Sequence, residues 1–354
     1  MVKIEEKKIG DGIKMFTVSN EKMCFSVMNY GCTLTEINFP DRNGKMTDVL
    51  LGYDDLEGFK NCTDSRGAIV GRVANRISNA RFSIFGREYH LDVNDGKNTL
   101  HGGNNRFEKM VWDAEKFTSE DGRGGVRFTR RSESMEQGFP GNVDITVEYS
   151  LGDDDGIRCE YTAVSDEATP INLTNHAYFN LNGARGKIES ILNHVLELES
   201  DKILEVDGEL IPTGKIIDVR DRKEFDFRSP KKIGRDISMC DERIGHGYDN
   251  CFVTSAYECG SNAKDGKDLC RFGSVTSPLT GIKMEIFTNQ IGVQVYSGNF
   301  LKGTGKEGLE NKKYDGVCFE TQRFNDAVNR KEFPSMIQER GEEYRSITVY
   351  KFSN

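Results

Sequence analysis

Histidine is the side chain best suited to proton transfer near neutral pH, and this chain has only five. His101 stands before two glycines in Asn98-Thr-Leu-His-Gly-Gly103, a pattern typical of an open loop that can present a side chain to a ligand. His176 lies in a polar cluster at the end of an alternating run, and His246 lies in a loop rich in polar and aromatic residues. We therefore consider these three as candidates for chemistry, whereas His90 and His194 fall inside predicted strands, where a structural role is favoured.

Several familiar active-site motifs are missing or lie out of context. Gly303-Thr-Gly-Lys-Glu-Gly308 matches G-x-G-x-x-G, but a charged loop follows it instead of a helix, which favours a flexible loop over a nucleotide site. The sequence has no H-E-x-x-H, G-x-S-x-G or P-loop motif. Its nine cysteines are scattered without a C-x-x-C pair, so it indicates neither a zinc cage nor a disulfide framework.

The charge balance limits the kinds of partner. A formal net charge of −9 and a pI near 5.3 argue against nucleic acid, because phosphate binding depends on clustered Lys and Arg. A neutral sugar needs hydrogen-bonding groups instead of a long-range field, so this balance does not oppose it. The charged start of the sequence and the lack of a long apolar run predict neither a signal peptide nor a membrane span. We expect a cytoplasmic protein with reduced thiols.

Alternation of apolar and polar residues is the dominant pattern that could position these side chains. It is clearest over residues 143–151, and it resumes over residues 157–163 after a Gly- and Asp-rich turn, which predicts an antiparallel hairpin. A second hairpin is predicted over residues 81–93, turning at Phe85-Gly86-Arg87. Further strands are predicted over residues 125–130, 284–288, 293–297, 316–321 and 346–352.

Helical candidates are short and few, chiefly residues 54–62 and 229–237. The sequence therefore predicts an all-β fold, a large antiparallel β-sandwich with a few short helices. Neither a linker nor an internal repeat divides the chain, so we expect residues 1–354 to form a single domain. The polar stretch at residues 255–268 is interpreted as a surface loop.

Several segments, in order along nearly the whole chain, resemble the galactose mutarotases (aldose 1-epimerases). The segments that carry the resemblance are Asn29-Tyr-Gly-Cys-Thr-Leu34, Gly71-Arg-Val-Ala-Asn-Arg-Ile77, Asn98-Thr-Leu-His-Gly-Gly103, Thr174-Asn-His-Ala-Tyr-Phe-Asn-Leu181, Gly247-Tyr-Asp-Asn-Cys-Phe252, Thr288-Asn-Gln-Ile-Gly-Val-Gln-Val-Tyr-Ser-Gly-Asn-Phe300, Cys318-Phe-Glu-Thr-Gln322 and Asp326-Ala-Val-Asn329. Departures from the family pattern include Asn325 and Arg340 where proline is usual, and Ile291 in place of the proline of Thr-Gln-Pro-Gly. Because a lost proline loosens the backbone, these departures bear on loop rigidity and substrate preference.

The resemblance implies a large β-sandwich that interconverts the α and β anomers of free aldohexoses such as galactose and glucose, with no cofactor and no metal. It implies Glu320 as the general base and His176 as the general acid. The sugar-binding residues that it implies are Asn75, Arg76, His101, Asp249 and Gln290. We expect no nucleic-acid or membrane partner, and a monomer or a weak homodimer.

The chemistry of anomer exchange fits such a pair of residues. A base takes the proton of the anomeric hydroxyl, an acid protonates the ring oxygen, and the carbonyl turns before the ring closes again, so no metal or nucleophile is required. With ordinary pKa values of about 4.3 and about 6.5, Glu320 would be ionised and His176 partly protonated at neutral pH. We hypothesise that Glu320 or Asp249 increases the proton affinity of His176. The expected pH profile is a bell whose acid limb reports Glu320 and whose alkaline limb reports His176.

Three other functions remain open at this point. A carbohydrate-binding protein without turnover would need no matched acid and base. An enzyme for a phosphorylated hexose would need additional cations, for which Arg72 and Arg76 are candidates. A glycoside hydrolase would need two carboxylates, whereas the pair here is a Glu and a His. Arg76 and Asp249 could instead form a structural salt bridge, and Glu320 alone could be an outward-facing strand residue.

Overall fold

The computed structural model describes residues 1–244, 246–258 and 269–354. Residues 259–268, which hold Cys259 and most of the surface loop predicted at residues 255–268, lie outside the described part, as does Gly245.

Strands make up most of the regular structure. They are β1 (Lys3–Lys8), β2 (Lys14–Ser19), β3 (Cys24–Met28), β4 (Thr33–Pro40), β5 (Met46–Asp48), β6 (Ile69–Val70), β7 (Arg76–Ile77), β8 (Arg81–Ile84), β9 (Arg87–His90), β10 (Thr99–Leu100), β11 (Asp113–Thr118), β12 (Gly124–Ser132), β13 (Val143–Leu151), β14 (Gly156–Ser165), β15 (Thr169–Pro170), β16 (Thr174–Asn175), β17 (Val195–Leu198), β18 (Lys202–Val206), β19 (Pro212–Asp218), β20 (Lys231–Lys232), β21 (Asp249–Val253), β22 (Cys270–Thr276), β23 (Lys283–Thr288), β24 (Gly292–Tyr296), β25 (Gly303–Thr304), β26 (Glu310–Asn311), β27 (Cys318–Gln322), β28 (Ile337–Gln338) and β29 (Glu343–Ser353).

Helices are short in the described part of the chain. Helix α1 (Leu56–Lys60) lies inside the predicted segment 54–62, and its first turn is capped by the Asp55 carboxylate, which accepts a hydrogen bond from the Gly58 N–H. Helix α2 comprises Ser255–Glu258. Single turns of 3₁₀ helix lie at Ser78–Ala80, Phe107–Lys109, Glu136–Gly138, Ile191–Asn193, Val219–Asp221, Ile237–Met239, Glu242–Ile244 and Lys306–Gly308.

The helix predicted over residues 229–237 is wrong. The third and fourth residues of this segment form the edge strand β20, in which Lys231 pairs with Leu196 of β17. Pro230 disfavours helical backbone in the residue before it, and the Lys231 ammonium donates to the main-chain oxygens of Lys223 and Glu224, which holds the segment extended.

Two antiparallel sheets form the sandwich that was predicted. The larger has nine strands in the order β11-β12-β13-β14-β29-β23-β22-β17-β20, so the last strand of the chain lies at its centre. The smaller has five strands in the order β19-β18-β21-β24-β27, and a separate five-stranded sheet is formed by β1 to β5 in sequence order. The predicted strand at residues 143–151 matches the bounds of β13, and β14 contains the predicted partner.

The predicted hairpin at residues 81–93 is formed by β8 and β9. Phe85 and Gly86 at its turn both have positive φ, 50° and 81°, as a tight two-residue hairpin turn requires.

One face of the smaller sheet packs on the nine-stranded sheet. Phe252, Val293 and Phe319 point from the smaller sheet into the main core and are at most 1% exposed. Phe252 contacts Phe272 of β22, and the Tyr350 hydroxyl of β29 donates to the Phe319 oxygen at 3.1 Å. Because side chains alternate along a strand, the other face of the smaller sheet is free to carry polar groups.

The G-x-G-x-x-G segment forms a loop, as predicted, but one that is anchored to the fold. The Lys306 ammonium is buried and donates to Asp48 Oδ2 at 2.6 Å and to the main-chain oxygens of Thr35 and Leu50. Its lysine therefore serves as a structural cation within the core.

Among the described residues, no helix combines the length and the apolar character that crossing a bilayer would take.

Candidate active site

A cavity of about 250 Å³ opens on the polar face of the smaller sheet. It is lined by Thr63, Asp64, Ser65, Asn75, Arg76, Leu100, His101, Arg106, His176, Tyr178, Asp249, Tyr296, Phe300 and Glu320. Of the catalytic and sugar-binding residues that the resemblance implies, all but Gln290 thus line one cavity, although they come from distant segments of the chain.

Strand register places the two carboxylates of the site. Asp249 of β21 pairs with Tyr296 of β24, and Tyr296 pairs with Cys318 of β27. Two residues further along, Gln294 of β24 pairs with Glu320 of β27. Directly paired side chains point to the same face of a sheet, so Asp249 and Glu320 both face the cavity.

His176 lies just after β16, where the chain crosses above this face. Its backbone is fixed by two hydrogen bonds, from its N–H to Ala68 O and from the Gly67 N–H to its carbonyl, each 2.9 Å long. Its Nε2 lies 3.6 Å from Glu320 Oε1, and the ring packs against the ring of Tyr178 with centroids 5.0 Å apart. The structure therefore places the Glu320 carboxylate beside this imidazole.

His101 is held by the backbone of Asn75. The Asn75 N–H donates to His101 Nδ1 at 3.2 Å, and the His101 N–H donates to the Asn75 oxygen at 3.1 Å. Both residues have positive φ, 54° and 63°, which Asn and His tolerate better than most side chains. Because Nδ1 accepts a hydrogen bond and is therefore unprotonated, neutral His101 carries its own proton on Nε2.

Steric crowding explains why glycine follows His101. A Cβ at position 102 would lie 2.1 Å from the main-chain oxygen of Gly71, so only glycine allows the two segments to approach. The His-Gly-Gly pattern noted in the sequence therefore reflects close packing of the loop that carries His101.

Arg76 forms a salt bridge and also lines the cavity, so its position fits both the structural and the sugar-binding interpretation. Its Nε donates to Asp95 Oδ2 at 2.7 Å, which is a salt bridge, and its side chain also lines the cavity. The bridge uses one N–H of the guanidinium and fixes the orientation of the fork, whose other N–H groups remain for a ligand.

Gln290 does not line the cavity. Its side chain is fully buried at the β23–β24 turn, where Nε2 donates to Asn289 Oδ1 at 3.2 Å. The substrate-binding role predicted for it is therefore not supported by its position. Gln294, four residues further along the chain in β24, lies beside the site instead. Its Nε2 donates to Asp249 Oδ1 at 2.7 Å. Counting by twos from Tyr296 along β24 could have selected it.

Asn325, where the family pattern has proline, contributes to this arrangement. Its Nδ2 donates to Gln294 Oε1 at 3.2 Å, and its Oδ1 accepts from Gln322. The departure from proline, expected to loosen the loop, therefore replaces a rigid ring with a side chain that is itself hydrogen-bonded.

Sequence reasoning missed several residues that line the cavity, namely Asp64, Tyr178, Tyr296, Phe300 and Arg106. Tyr178 and Tyr296 lie inside the resembling segments, where polar alternation could have indicated them. Asp64 and Arg106 belong to loops without a strand pattern, and each forms an ion pair, with Arg66 at 2.9 Å and with Glu108 at 2.6 Å.

The remaining histidines and Arg72 lie outside the cavity. His90 is an exposed strand residue, and His194 is buried and accepts the Leu181 N–H at 2.9 Å, so both are structural, as predicted. His246 Nδ1 contacts the Cys240 oxygen at 3.1 Å. Arg72 is buried and donates to the Pro140 oxygen and to Ser132 Oγ, each at 2.7 Å, which makes it a structural residue.

Burial shifts the pKa values of Glu320 and His176 in opposite directions. It raises the pKa of Glu320 well above its ordinary value, Asp249 raises it further, and Arg76 acts in the opposite direction. It lowers the pKa of His176 to about 4, although Asp64 favours the imidazolium. The Glu320 Oε2 atom has no hydrogen-bond partner among the described residues. The hypothesis that Glu320 or Asp249 increases the proton affinity of His176 is therefore wrong for the unliganded site, because desolvation lowers the pKa of His176 and the carboxylate that opposes this shift is Asp64.

Between the lowered pKa of His176 and the raised pKa of Glu320 the pair holds one proton. Below about pH 4 it gains a second on His176, and it loses its last proton only above the raised pKa of Glu320. The limbs of the expected bell are exchanged relative to the sequence prediction, with the acid limb governed by His176 and the alkaline limb by Glu320.

The side chains of His101, His176 and Glu320 bring potential metal-ligand atoms within 4.8 Å of one another. His101 limits this set, since the proton on its Nε2 occupies the lone pair that a cation would need while Nδ1 accepts the Asn75 N–H. The arrangement is better suited to proton transfer and hydrogen bonding than to holding a resident metal ion.

Comparison with known proteins gives one consistent result. The family model described as aldose 1-epimerase matches residues 14–351. The galactose mutarotase of Mus musculus is 40% identical to this chain, over 97% of the chain and 95% of the mouse protein. The galactose mutarotase of Homo sapiens is 38% identical over the same shares. The aldose 1-epimerase of Escherichia coli (strain K12) is 34% identical over 97% of this chain and 96% of its own length.

Solved structures agree in fold. The crystal structure of the GalM/aldose epimerase homologue from C. elegans has a TM-score of 0.84 and 30% sequence identity, covering 100% of this chain and 99% of that one. The structure of galactose 1-epimerase from Lactobacillus acidophilus NCFM has a TM-score of 0.83 at 24% identity, with 100% and 98% of the two chains covered.

Proposed function

The chain belongs to the aldose 1-epimerase family, and we propose that it interconverts the α and β anomers of free aldohexoses, with galactose and glucose as its substrates. The observation that carries this proposal is the approach of His176 Nε2 to within 3.6 Å of Glu320 Oε1 in a cavity that polar side chains such as Arg76, Asn75 and Asp249 line. The full-length similarity to galactose mutarotases supports it.

Ring opening is the first step. The step starts from the ionised form of the pair, in which Glu320 is a carboxylate and His176 an imidazolium. Glu320 takes the proton of the anomeric hydroxyl while His176 donates its Nε2 proton to the ring oxygen, so the bond between the anomeric carbon and the ring oxygen breaks and a carbonyl forms. Each transfer contributes about 10²- to 10⁴-fold when the groups are in hydrogen-bond reach. The open-chain aldehyde then leaves Glu320 protonated and His176 neutral.

Ring closure reverses these transfers after the carbonyl has turned about the neighbouring carbon–carbon bond. His176 recovers the proton of the hydroxyl that attacks the carbonyl, and Glu320 returns its proton to the carbonyl oxygen, so the pair ends with the proton count at which it began. The protonation state that accompanies the open-chain sugar is the one that burial favours, since desolvation raises the pKa of Glu320 and lowers that of His176.

We propose that four other side chains hold the sugar. Arg76 and the Nε2–H of His101 donate to hydroxyls, Asp249 accepts from them, and the amide of Asn75 does both. Gln294 occupies Asp249 Oδ1, which leaves Oδ2 available to a hydroxyl.

The rival substrates are less well supported by this cavity. Arg72, one of the two cations proposed for a phosphorylated hexose, is committed to the structural core. Arg76 and Arg106, which do line the cavity, are already paired with Asp95 and Glu108. A phosphate group would have to compete with these carboxylates, whereas a neutral hexose would not.

We also propose that residues 1–354 form one domain that works in the cytosol, as a monomer or a weak homodimer. The free thiols of the described cysteines support a reducing compartment.

Polarimetry tests the function. Purified protein added to freshly dissolved α-galactose or α-glucose should speed the decay of optical rotation above the spontaneous rate, and should do so less for galactose 6-phosphate, which also opens but carries a phosphate. Calorimetric binding of galactose without faster decay would overturn the proposal in favour of a binding protein. Release of nitrophenol from a nitrophenyl galactoside would instead indicate a hydrolase that uses Glu320 and Asp249.

A further inference from the structure

Asp64 and Arg106 line the cavity but have no role in the proton transfers described above. The loop that carries Asp64 is attached to the segment that carries His176. The Gly67 N–H donates to the His176 oxygen at 2.9 Å, and the Tyr178 hydroxyl donates to the main-chain oxygen of Asp64 at 3.3 Å. Asp64 therefore lies at the end of the cavity that His176 forms.

Electrostatics places Arg106 at the same end. Beyond burial, the charges that act on the pKa of His176 are those of Asp64, which raises it, and of Arg106, which lowers it. The carboxylate that acts on the pKa of Glu320, which burial raises, is Asp249 instead. One end of the cavity therefore holds Asp64 and Arg106 beside His176. The other end holds Asp249 beside Glu320.

The connectivity of a pyranose ring determines what each end of the cavity faces. The ring oxygen is bonded to C1, which carries the anomeric hydroxyl, and to C5, which carries the exocyclic C6. In the mechanism given above, His176 protonates the ring oxygen and Glu320 takes the proton of the C1 hydroxyl. Side chains beyond His176 therefore face C5 and C6, whereas side chains beyond Glu320 face C2 and C3.

We propose that Asp64 and Arg106 bind the C6 hydroxyl of the sugar, so that the site selects aldohexoses whose C6 is a neutral hydroxymethyl group. This inference rests on the proposed function, because that function places the ring oxygen at His176. A hydroxyl both donates and accepts hydrogen bonds. It donates here to the Asp64 carboxylate and accepts from the Arg106 guanidinium.

Asp64 is fixed in place as an acceptor. Arg66 Nε donates to its Oδ1 and Oδ2 at 3.0 and 2.9 Å, and the Cys62 thiol donates to Oδ1 at 3.0 Å. The Arg66 side chain is only 1% exposed, whereas that of Asp64 is 26% exposed. Because a carboxylate has about four acceptor positions, Oδ2 keeps one for a sugar hydroxyl.

Arg106 is held in a similar way. Its Nη2 lies 2.6 Å from Oε1 of the buried Glu108, which leaves the other N–H groups of the fork as donors. The Asp64–Arg66 and Arg106–Glu108 ion pairs are each electrically neutral. A hydroxymethyl group preserves this balance, whereas a carboxylate or a phosphate on C6 brings a second negative charge close to Asp64 where little water screens it.

A series of sugars tests the proposal on the wild-type protein. D-Fucose is galactose with a methyl group at C6, L-arabinose lacks C6, and galacturonate has a carboxylate there. Polarimetric kcat/KM should be about 10-fold higher for galactose than for D-fucose or L-arabinose, because without the C6 hydroxyl both charged groups lose their partner. It should be lower still for galacturonate. Equal values for galactose and D-fucose would overturn the proposal without any variant.

Two variants should change this selectivity in opposite directions. Asp64→Asn removes the negative charge and keeps an acceptor for Arg66, so kcat/KM for galacturonate relative to galactose should rise by about 10-fold. Arg106→Gln removes the positive charge and should lower the same ratio. Asp64→Asn also alters the environment of His176, but that effect is common to all of the sugars and cancels in the ratio. Shifts in the same direction, or no shift in either variant, would contradict the assignment.

Asp226→Asn is the matched control for Asp64→Asn. Asp226 is 29% exposed and pairs at 2.8 Å with Arg228, two residues further along, as Asp64 does with Arg66, but it lies outside the cavity. The control should leave every ratio between sugars at the wild-type value. A change in Asp226→Asn as large as that in Asp64→Asn would mean that the selectivity does not come from the C6 contact.

Calorimetric binding distinguishes the failure of this inference from that of the proposed function. Tighter binding of galactose than of D-fucose, without any faster anomerisation, would mean that the proposed function is wrong while the C6 contact stands. Fast anomerisation of both sugars with equal kcat/KM would mean that only the present inference is wrong.

Discussion

Gln294 donates a 2.7 Å hydrogen bond to Asp249 across two neighbouring strands of the smaller sheet. Gln294 also pairs with Glu320 on its other side and accepts from Asn325 at 3.2 Å. One amide thus connects the carboxylate proposed to bind the sugar with the strand that carries the proposed base. We infer that Gln294 orients Asp249 for hydroxyl binding.

This relationship separates the two glutamines of the β23–β24 hairpin. Gln294→Leu removes a hydrogen bond to a carboxylate, so kcat/KM for galactose should fall by about tenfold, mainly through KM. Gln290→Leu changes a residue of similar burial that does not reach the cavity, so kcat/KM should change by less than about twofold. Steady-state anomerisation kinetics on both variants checks this, and a larger effect from Gln290 would refute our placement of the site.

Neutralising the charged neighbours of Glu320 should move the alkaline limb of kcat/KM in opposite directions. Asp249 raises the pKa of Glu320 and Arg76 lowers it. Activity requires that the pair retain its last proton, so Asp249→Asn should shift the alkaline limb to lower pH and Arg76→Gln should shift it to higher pH. Both variants will also bind sugar less well, but the position of the limb is independent of that loss in amplitude.

Profiles of kcat/KM against pH, measured from about pH 4 upward, decide this point. Shifts of the two variants in the same direction would show that the alkaline limb does not report Glu320. Lys302→Gln, an exposed charge outside the cavity, serves as the control and should leave the limb in place.

His194 should make the fold sensitive to acid. Burial lowers the pKa of His194 to about 3, below the value of about 6.5 expected for an unfolded chain. The stability that this neutral ring provides is therefore complete above about pH 6.5 and is lost as the pH falls toward 3, by about 1.4 kcal/mol per pH unit. His194→Gln should flatten the decline of the unfolding free energy by this amount.

Urea unfolding at several pH values between 7 and 4 measures this slope. The comparison of variant with wild type isolates His194, since the buried His101 and His176 contribute to both. Equal slopes in His194→Gln and wild type would contradict the account.

Lys306 should be essential for stability and not for nucleotide binding. Lys306→Met leaves the buried Asp48 carboxylate with only Arg185, whose Nε lies 3.3 Å from Asp48 Oδ2, and removes the donor from the main-chain oxygens of Thr35 and Leu50, which should cost about 3 to 5 kcal/mol of unfolding free energy. Lys302→Met removes an exposed lysine of the neighbouring segment and should change stability by less than about 0.5 kcal/mol. Chemical denaturation measures both. A stable Lys306→Met protein would mean that the ion pair does not hold this loop.

Period-two alternation was sufficient to predict the β-sandwich, because in strands such as β13 the apolar side chains of one face are all buried while most of the alternate polar side chains are not. The helix predicted over residues 229–237 was wrong, since pairing of Lys231 with Leu196 is decided by a strand far away in the sequence. Short-range patterns contain no information about such partners.

The candidate site was predictable where its residues belong to recognisable segments, as His176 and Glu320 do. The position of Gln290 and the role of Gln294 depend on strand register, which the sequence alone did not fix. The shift in the pKa of His176 was predicted in the wrong direction because it depends on desolvation. Desolvation is a property of the folded cavity and not of the adjacent residues in the sequence.

The central claim is that Glu320 and His176 transfer protons as a pair. The most direct test is the anomerisation rate of freshly dissolved α-galactose for wild type, Glu320→Gln, His176→Asn and the double variant, with the partly buried Glu285→Gln of β23 as the control. We expect each single variant to lose at least about 100-fold in kcat, the double variant to lose little more than the worse single one, and the control to match wild type. A Glu320→Gln protein that keeps its fold and stays within about twofold of the wild-type rate would contradict the account.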